Sequence, residues 1–190
     1  MRQGLDQFTV LQAAAELADA HGYEQLSLAS LAKQLQIRTP SLYNHVKGMP
    51  GLKQALASYA VRKLKEALIE GIIGKSGDEA LHALAFAYVD FVRQHPGIYE
   101  ASMGAPDPLD PDFQTAGTEV VQLIIRLMES YQLEPEVAIH AVRGMRSIVH
   151  GFASLELRKE FNIEISKNES LHYAITAYLR GVQHVSQNPD

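Results

Sequence analysis

Apolar positions along this chain recur every three to four residues almost throughout, and the two-residue alternation of a half-buried strand is nowhere sustained. Val10, Ala14, Leu17, Ala18 and His21 share one face of a first helix, which Gly22 stops from the C′ position. Ser27 is placed to cap a second helix running to Leu35, with Leu28, Leu31, Ala32 and Leu35 turned inward. Gln36-Ile37-Arg38 reads as a turn. Thr39 then suits an N-cap and Pro40 the first helical position, where its missing N–H is not needed. The short third helix that follows is expected to end near Lys47-Gly48. Pro50 opens a fourth, long helix to about Gly71 through Leu52, Leu56, Tyr59, Lys63 and Ala67.

A break covers residues 71–77. Leu81, Leu84, Ala85, Tyr88, Phe91 and Val92 mark a fifth helix, ended by His95-Pro96-Gly97, and a short sixth is expected over Ile98 to Met103. Pro106, Pro108 and Pro111 make residues 104–112 the clearest loop in the chain. Val121, Ile124, Met128 and Tyr131 form the stripe of a seventh helix, and Pro135 opens a long eighth to about Lys159. Ser166 with Glu169 fits a capping box for a ninth, striped by Leu171, Ala174, Ile175, Tyr178, Leu179 and Val182. The expected fold class is therefore all-α, with about nine helices. A three-helix head takes residues 1–47 and a helical body residues 48–190, and the helix at 50–71 connects them.

Composition narrows the class. At 46% hydrophobic and 21% charged residues the chain is an ordinary globular one. No apolar run approaches the roughly 18 residues of a membrane span, and no apolar leader core follows Met1-Arg2-Gln3. Without cysteine there is no disulfide and no thiolate metal site, which is compatible with the reducing cytoplasm expected here. The net charge of −5 speaks against a nucleic-acid partner until its distribution is considered. Residues 1–70 carry eight Lys/Arg against six Asp/Glu, whereas the rest carry nine against sixteen. A weakly basic head on an acidic body suits a small DNA-binding end joined to a domain with another task.

Two short helices joined by a tight turn form the layout of a helix-turn-helix, in which the second helix enters the major groove. The groove, about 12 Å wide, admits one such helix. Arg38, Thr39, Ser41, Tyr43, Asn44, His45 and Lys47 are the candidate contacts, while Leu42 and Val46, four apart, anchor the helix to the core. Arg38 suits bidentate reading of guanine and Asn44 of adenine. Tyr43, His45 and Lys47 suit phosphate, and Ser27 marks a helix start whose free N–H groups attract phosphate. The competing reading is a plain helical hairpin with Tyr43 and His45 packed inside.

Residues 10–56 resemble the DNA-binding head of TetR/AcrR-family transcriptional regulators. The resemblance rests on Ala13-Ala14, His21-Gly22-Tyr23, Leu26-Ser27-Leu28, Leu31-Ala32 with Leu35, Pro40-Ser41-Leu42-Tyr43 with His45, and Leu52. More loosely, His95-Pro-Gly-Ile-Tyr99 and the run His150–Glu156 resemble parts of the family's ligand-binding bodies. Three departures stand out. Val46 replaces the common Phe; Met49-Pro50-Gly51 replaces a charged helix start and removes a phosphate-binding Lys; and Arg38 and Asn44 are not family constants.

The resemblance implies a body that dimerises and encloses a small-molecule cavity. Gly144, Ile148, Gly151 and Leu155 fall on one face of the eighth helix and, with Ile175 and Tyr178 of the ninth, are the expected dimer seam; close packing within one subunit is the alternative. Phe86, Tyr99, Met103, Met128, Arg143 and Phe152 are the candidate effector contacts, with a buried Arg143 meeting an anionic group; plain core is the alternative. Glu169 with His172, and Glu136 with His140, have metal-ligand spacings, but the paired motifs of a di-iron bundle are missing, so no metal is expected. Nor is any cofactor: the chain has no Gly-rich phosphate loop and no nucleophile elbow. The expected function is a non-enzymatic regulator, a repressor released from palindromic double-stranded DNA by an unidentified small effector. The partners are operator, effector and a second copy of the chain, and no membrane. A helical-bundle carrier or enzyme with a merely structural hairpin is the alternative.

Overall fold

Helix α1 (Gln7–His21) opens where the Asp6 carboxylate accepts the Thr9 N–H at 2.7 Å and closes at Gly22, whose φ of 93° lies in the region that favours glycine. A 3₁₀ turn (Tyr23–Gln25) leads to α2 (Leu28–Gln34), α3 (Thr39–Leu42) and α4 (Gly48–Ile72). Then come α5 (Gly77–Gln94), α6 (Pro96–Met103), α7 (Pro111–Leu127), a second 3₁₀ turn (Glu129–Tyr131), α8 (Pro135–Leu157) and α9 (Lys167–Gln187). This structure, a computed structural model, describes residues 5–105 and 107–187; Met1 to Gln3 and Pro106, all used above, lie outside them. Among the described residues there are nine α-helices and no strand, the all-α class expected.

Two compact units emerge: Met1–Lys63 with Gln94–Gly117, and Leu64–Arg93 with Thr118–Asp190. The first is wider than residues 1–47, because it also holds the first part of α4, all of α6 and the start of α7.

In the first unit α1 buries Val10, Leu11, Ala13, Ala14, Ala15 and Ala18, a face broader than the expected stripe. Leu17 is only half-buried and His21 is exposed. The breadth has a cause: α2 and α6 both pack on α1, so it is covered from two sides. Alanines permit the close approach. At Gly97 of α6 it reaches the backbone, for a Cβ there would lie 2.1 Å from the Ala18 carbonyl oxygen. Asp19 reinforces the joint. His95, at the cap position of α6, makes no capping bond of its own, and Asp19 supplies one by accepting the Ile98 N–H at 3.0 Å. The other oxygen of Asp19 lies 2.8 Å from His95 Nδ1.

The second unit packs the predicted stripes. Leu81, Leu84, Ala85, Tyr88, Phe91 and Val92 of α5 are all buried, as are Leu171, Ile175, Leu179 and Val182 of α9. Arg93 binds Glu156 of α8 at 2.9 Å and Asn168 of α9 at 2.9 Å, so one guanidinium ties three helices. Helix α7 starts ten residues ahead of its stripe, with Asp110 as its opening acceptor for Phe113 N–H at 3.0 Å. It ends at Leu127, and Tyr131 arrives on the 3₁₀ turn instead. Burial and the Asp78 carboxylate, which accepts its hydroxyl, push the Tyr131 phenol far up and keep it protonated.

Candidate nucleic-acid interface

The turn between α2 and α3 is built by the backbone. Helix α2 is capped at Ser27, whose hydroxyl accepts the Ser30 N–H at 3.1 Å while Ser30 Oγ accepts the Ser27 N–H at 3.1 Å. The partner in this box is a serine, not the acidic residue usual there. At the other end Gln36 N–H reaches Lys33 O at 3.2 Å and Ile37 N–H reaches Ala32 O at 3.0 Å. That pair of bonds is a Schellman closure, and it holds Gln36 at φ 55°. A non-glycine residue in that region carries a steric cost of about 1–2 kcal/mol.

Helix α3 is shorter than expected and starts one residue earlier. Ser41 N–H bonds Arg38 O at 2.9 Å, which makes Arg38 the N-cap, so Thr39 is the first helical residue rather than the cap. Pro40 is equally harmless there, since the second N–H of a helix also lacks an internal partner. Beyond Leu42 the chain tightens: Asn44 N–H reaches Ser41 O at 3.4 Å and His45 N–H reaches Leu42 O at 2.9 Å, a 3₁₀ spacing. Leu42 is 0% and Val46 5% exposed, and these two pegs hold the segment to the core as their spacing predicts.

The remaining side chains divide cleanly. Arg38, Tyr43, Asn44 and Lys47 are exposed, Tyr43 by 61%; Thr39, Ser41 and His45 are half-buried. The competing reading of a packed Tyr43 therefore fails on its exposure. Ser27 is half-buried with its hydroxyl engaged in the capping box, so its task is first to hold α2. Close behind the segment, the Thr9 N–H and then hydroxyl hold the Asp6 carboxyl below the ordinary 3.8, and His45 adds a smaller pull. Tyr23 is buried, with Lys53 Nζ 4.8 Å from its ring centre; burial pushes its phenol up, and its hydroxyl has no hydrogen-bond partner among the described residues. Three residues named above only as turn or helix-start positions have backbone roles here: Gln36 at φ 55°, Gly48 at φ 66°, and Gly51, where a Cβ would meet Lys47 Cβ at 2.8 Å. Residue order gave their places in the turns but not their backbone angles or close contacts.

Residues 10–56 match the family of bacterial regulatory proteins, tetR family, and residues 81–178 match the tetracyclin repressor-like C-terminal domain. The chain belongs to the TetR family. It is thus a DNA-binding transcriptional regulator, from a family whose members repress transcription and are typically released by effectors. It is 37% identical over 182 residues to the uncharacterized HTH-type transcriptional regulator YobS of Bacillus subtilis, covering 95% of this chain and 94% of that one. It is 26% identical over 153 residues to the class G tetracycline repressor of Vibrio anguillarum, covering 77% and 67%. Its fold matches a TetR variant from Acinetobacter baumannii solved in complex with minocycline. The TM-score is 0.71 at 23% identity, over 95% of this chain and 98% of that one.

The expected effector contacts are split between the two units. Tyr99 and Met103 belong to the first unit, the other four to the second. Tyr99 and Met128 are buried, Phe86 and Phe152 half-buried, Met103 exposed. Arg143 is exposed, not buried, because its turn of α8 carries Val142 and Met145 inward instead. Phe152 lines a cavity of about 370 Å³ in the second unit, with Phe161, Ile163, Ile165, Lys167 and Ser170. The phenyl rings of Phe152 and Phe161 lie 4.9 Å apart.

The dimer candidates divide as well. A Cβ on Gly144 would meet the Tyr178 ring at 2.8 Å, and the Tyr178 hydroxyl bonds Ala141 O, so both serve packing between α8 and α9 of one subunit. Ile175 is wholly buried and unable to form a seam. Gly151 faces open space, Leu155 is 41% exposed and Ile148 half-buried. A second cavity of about 360 Å³ runs along α8 and α9 past Val137, His140, Ala177, Gly181 and Val185. No cluster of three metal-ligating side chains occurs among the described residues; His172 stacks on His82 with ring centres 4.5 Å apart, and His140 lies 4.0 Å from Glu136. Among those residues no helix is long and apolar enough to cross a membrane.

Proposed function

We propose that this TetR-family member represses transcription as a homodimer on a palindromic operator and is released by a small, largely apolar effector. The observation that carries the reading is the segment Arg38–Lys47, pegged by two buried side chains and exposing a cation at each end. Arg38 and Asn44 read base edges, each bidentate pair contributing about 1–3 kcal/mol of discrimination. Thr39 and Ser41 flank them. Tyr43, His45 and Lys47 grip phosphate and set the register. Ser27 enters through the backbone end of α2, its hydroxyl being occupied.

The open face of α8 and α9, at Gly151, Leu155, Ala177 and Gly181, supports a seam between two copies. Small residues there allow helices to approach closely, and two-fold pairing sets the heads about 34–36 Å apart on DNA. The cavity beside Phe152 has the size and the apolar wall of a small-molecule site, with Lys167 and Ser170 as polar handles. The protein acts in the cytoplasm, where operator DNA is found.

The decisive experiment selects duplexes from random DNA with the purified protein and measures affinity for the resulting site and its half across a salt series. A palindrome bound far more tightly than its half, with a steep salt dependence, is the expected result. Equal affinity for the half-site would sink the dimeric reading, and selection of no sequence at all would sink base reading by Arg38 and Asn44.

A further inference from the structure

We propose that Gly51 is a positioning residue for DNA binding, because it makes room for Lys47 to keep the place from which it contacts phosphate. The inference rests on the reading of Lys47 as a phosphate contact. Glycine is a poor choice in the first turn of the 25-residue helix α4, where alanine is the better helix former. The local geometry supplies a reason for it. A Cβ on Gly51 would lie 2.8 Å from Lys47 Cβ and 4.0 Å from the Val46 carbonyl carbon. Bonded carbons apart, side-chain carbons do not pack that closely, and Lys47 Cβ is fixed by the backbone rather than being the loose end of a side chain. A side chain at 51 must therefore displace the turn itself.

That turn has little room to give. Gly51 N–H bonds Lys47 O at 3.2 Å, and Gly48, at φ 66°, already occupies a conformation open chiefly to glycine. Val46 on one side and Leu52 on the other are buried, 5% and 0% exposed. The displacement falls on Lys47, which is exposed and has no ion-pair partner among the described residues. Its ammonium is thus available to an outside anion. With Met49 and Pro50 in place of a cationic helix start, and the half-buried Lys53 held over the Tyr23 ring, Lys47 is the exposed cation at this junction, and its placement weighs more.

The test compares Gly51→Ala, Lys47→Ala and the double variant on a mixed-sequence DNA duplex over a salt series, with thermal melting as the control. Each single variant is expected to lose about fivefold in affinity per protomer near physiological salt, and to flatten the slope of log affinity against log salt by about one. The double variant is expected to bind like Lys47→Ala alone. A double variant weaker than Lys47→Ala, or a Gly51→Ala slope equal to wild type beside a flattened Lys47→Ala slope, overturns the proposal while leaving the phosphate reading intact. An unchanged slope in Lys47→Ala overturns that reading and this inference together. If Gly51→Ala melts too low to assay, the same substitution is made in a Lys47→Gly background, where the opposing Cβ is gone. Recovered melting temperature is then expected, and no recovery overturns the steric argument.

Discussion

Helix α6 and the segment Arg38–Lys47 both lie in the first unit, and they are held in opposite ways. Helix α6 meets α1 backbone to backbone at Gly97, is capped from outside by Asp19, and buries Ile98, Tyr99 and Ala101. The segment Arg38–Lys47 has four α-helical residues and hangs on Leu42 and Val46. One element is fixed by atoms that side-chain motion does not relieve, the other by two removable pegs. A segment docked this lightly leaves its polar side chains exposed, while the joint between α1 and α6 resists deformation.

The contrast breaks most sharply at Gly97. Gly97→Ala places a methyl inside the α1 backbone, and a loss of about 3 kcal/mol or more is expected by urea unfolding. A loss below about 1 kcal/mol would show that α6 slides easily and that the joint is soft. Next comes Leu42→Ala, with an expected cost of about 2–4 kcal/mol from the empty peg site. Tyr43→Ala, one residue on and exposed, is expected to stay within about 0.5 kcal/mol of wild type while weakening DNA binding. Comparable stability losses in both would mean that the segment packs as a whole. Asp19→Ala should remove the outside cap at about 1 kcal/mol.

Gln36→Gly is the small effect of opposite sign. Relief of the left-handed residue is expected to raise stability by up to about 1 kcal/mol, seen as a higher melting temperature. These packing deficits should run parallel to wild type across pH. The wild-type profile itself should not be flat: burial first, and the neighbouring His172 second, hold His82 below its ordinary 6.5. The unfolded chain then binds the proton more readily, so stability is unaffected above that value and falls as pH drops below it. In His82→Leu that decline should be shallower, and an unchanged profile would place the acid sensitivity elsewhere.

Much of this was legible in residue order. Val10 to Leu56 carry caps and stripes strong enough to place four helices, and the pegs Leu42 and Val46 follow from spacing alone. Contacts distant in sequence were not legible. Nothing in α1 announces that Asp19 caps a helix seventy-odd residues later. Gly144 and Gly151 share a helix face, yet only the first is covered, because a Tyr on another helix happens to reach it. A buried Arg143 is the expectation for a partner of an anionic effector, whereas helix phase, set by Val142 and Met145, turns it out.

The bond between Gln54 and the loop after α6 has one more consequence. Gln54 Nε2 donates to Asp107 O at 3.1 Å, and its Oε1 accepts the Asp107 N–H at 2.7 Å. A side-chain amide here reads only main chain, so the tie is blind to the identity of residue 107 and forbids just one, proline, which has no N–H to offer. The amide tie to Gln54 therefore survives a change of side chain at 107, even one that gives up the bond from Leu109 N–H to the Asp107 carboxylate, provided that Gln54 stays.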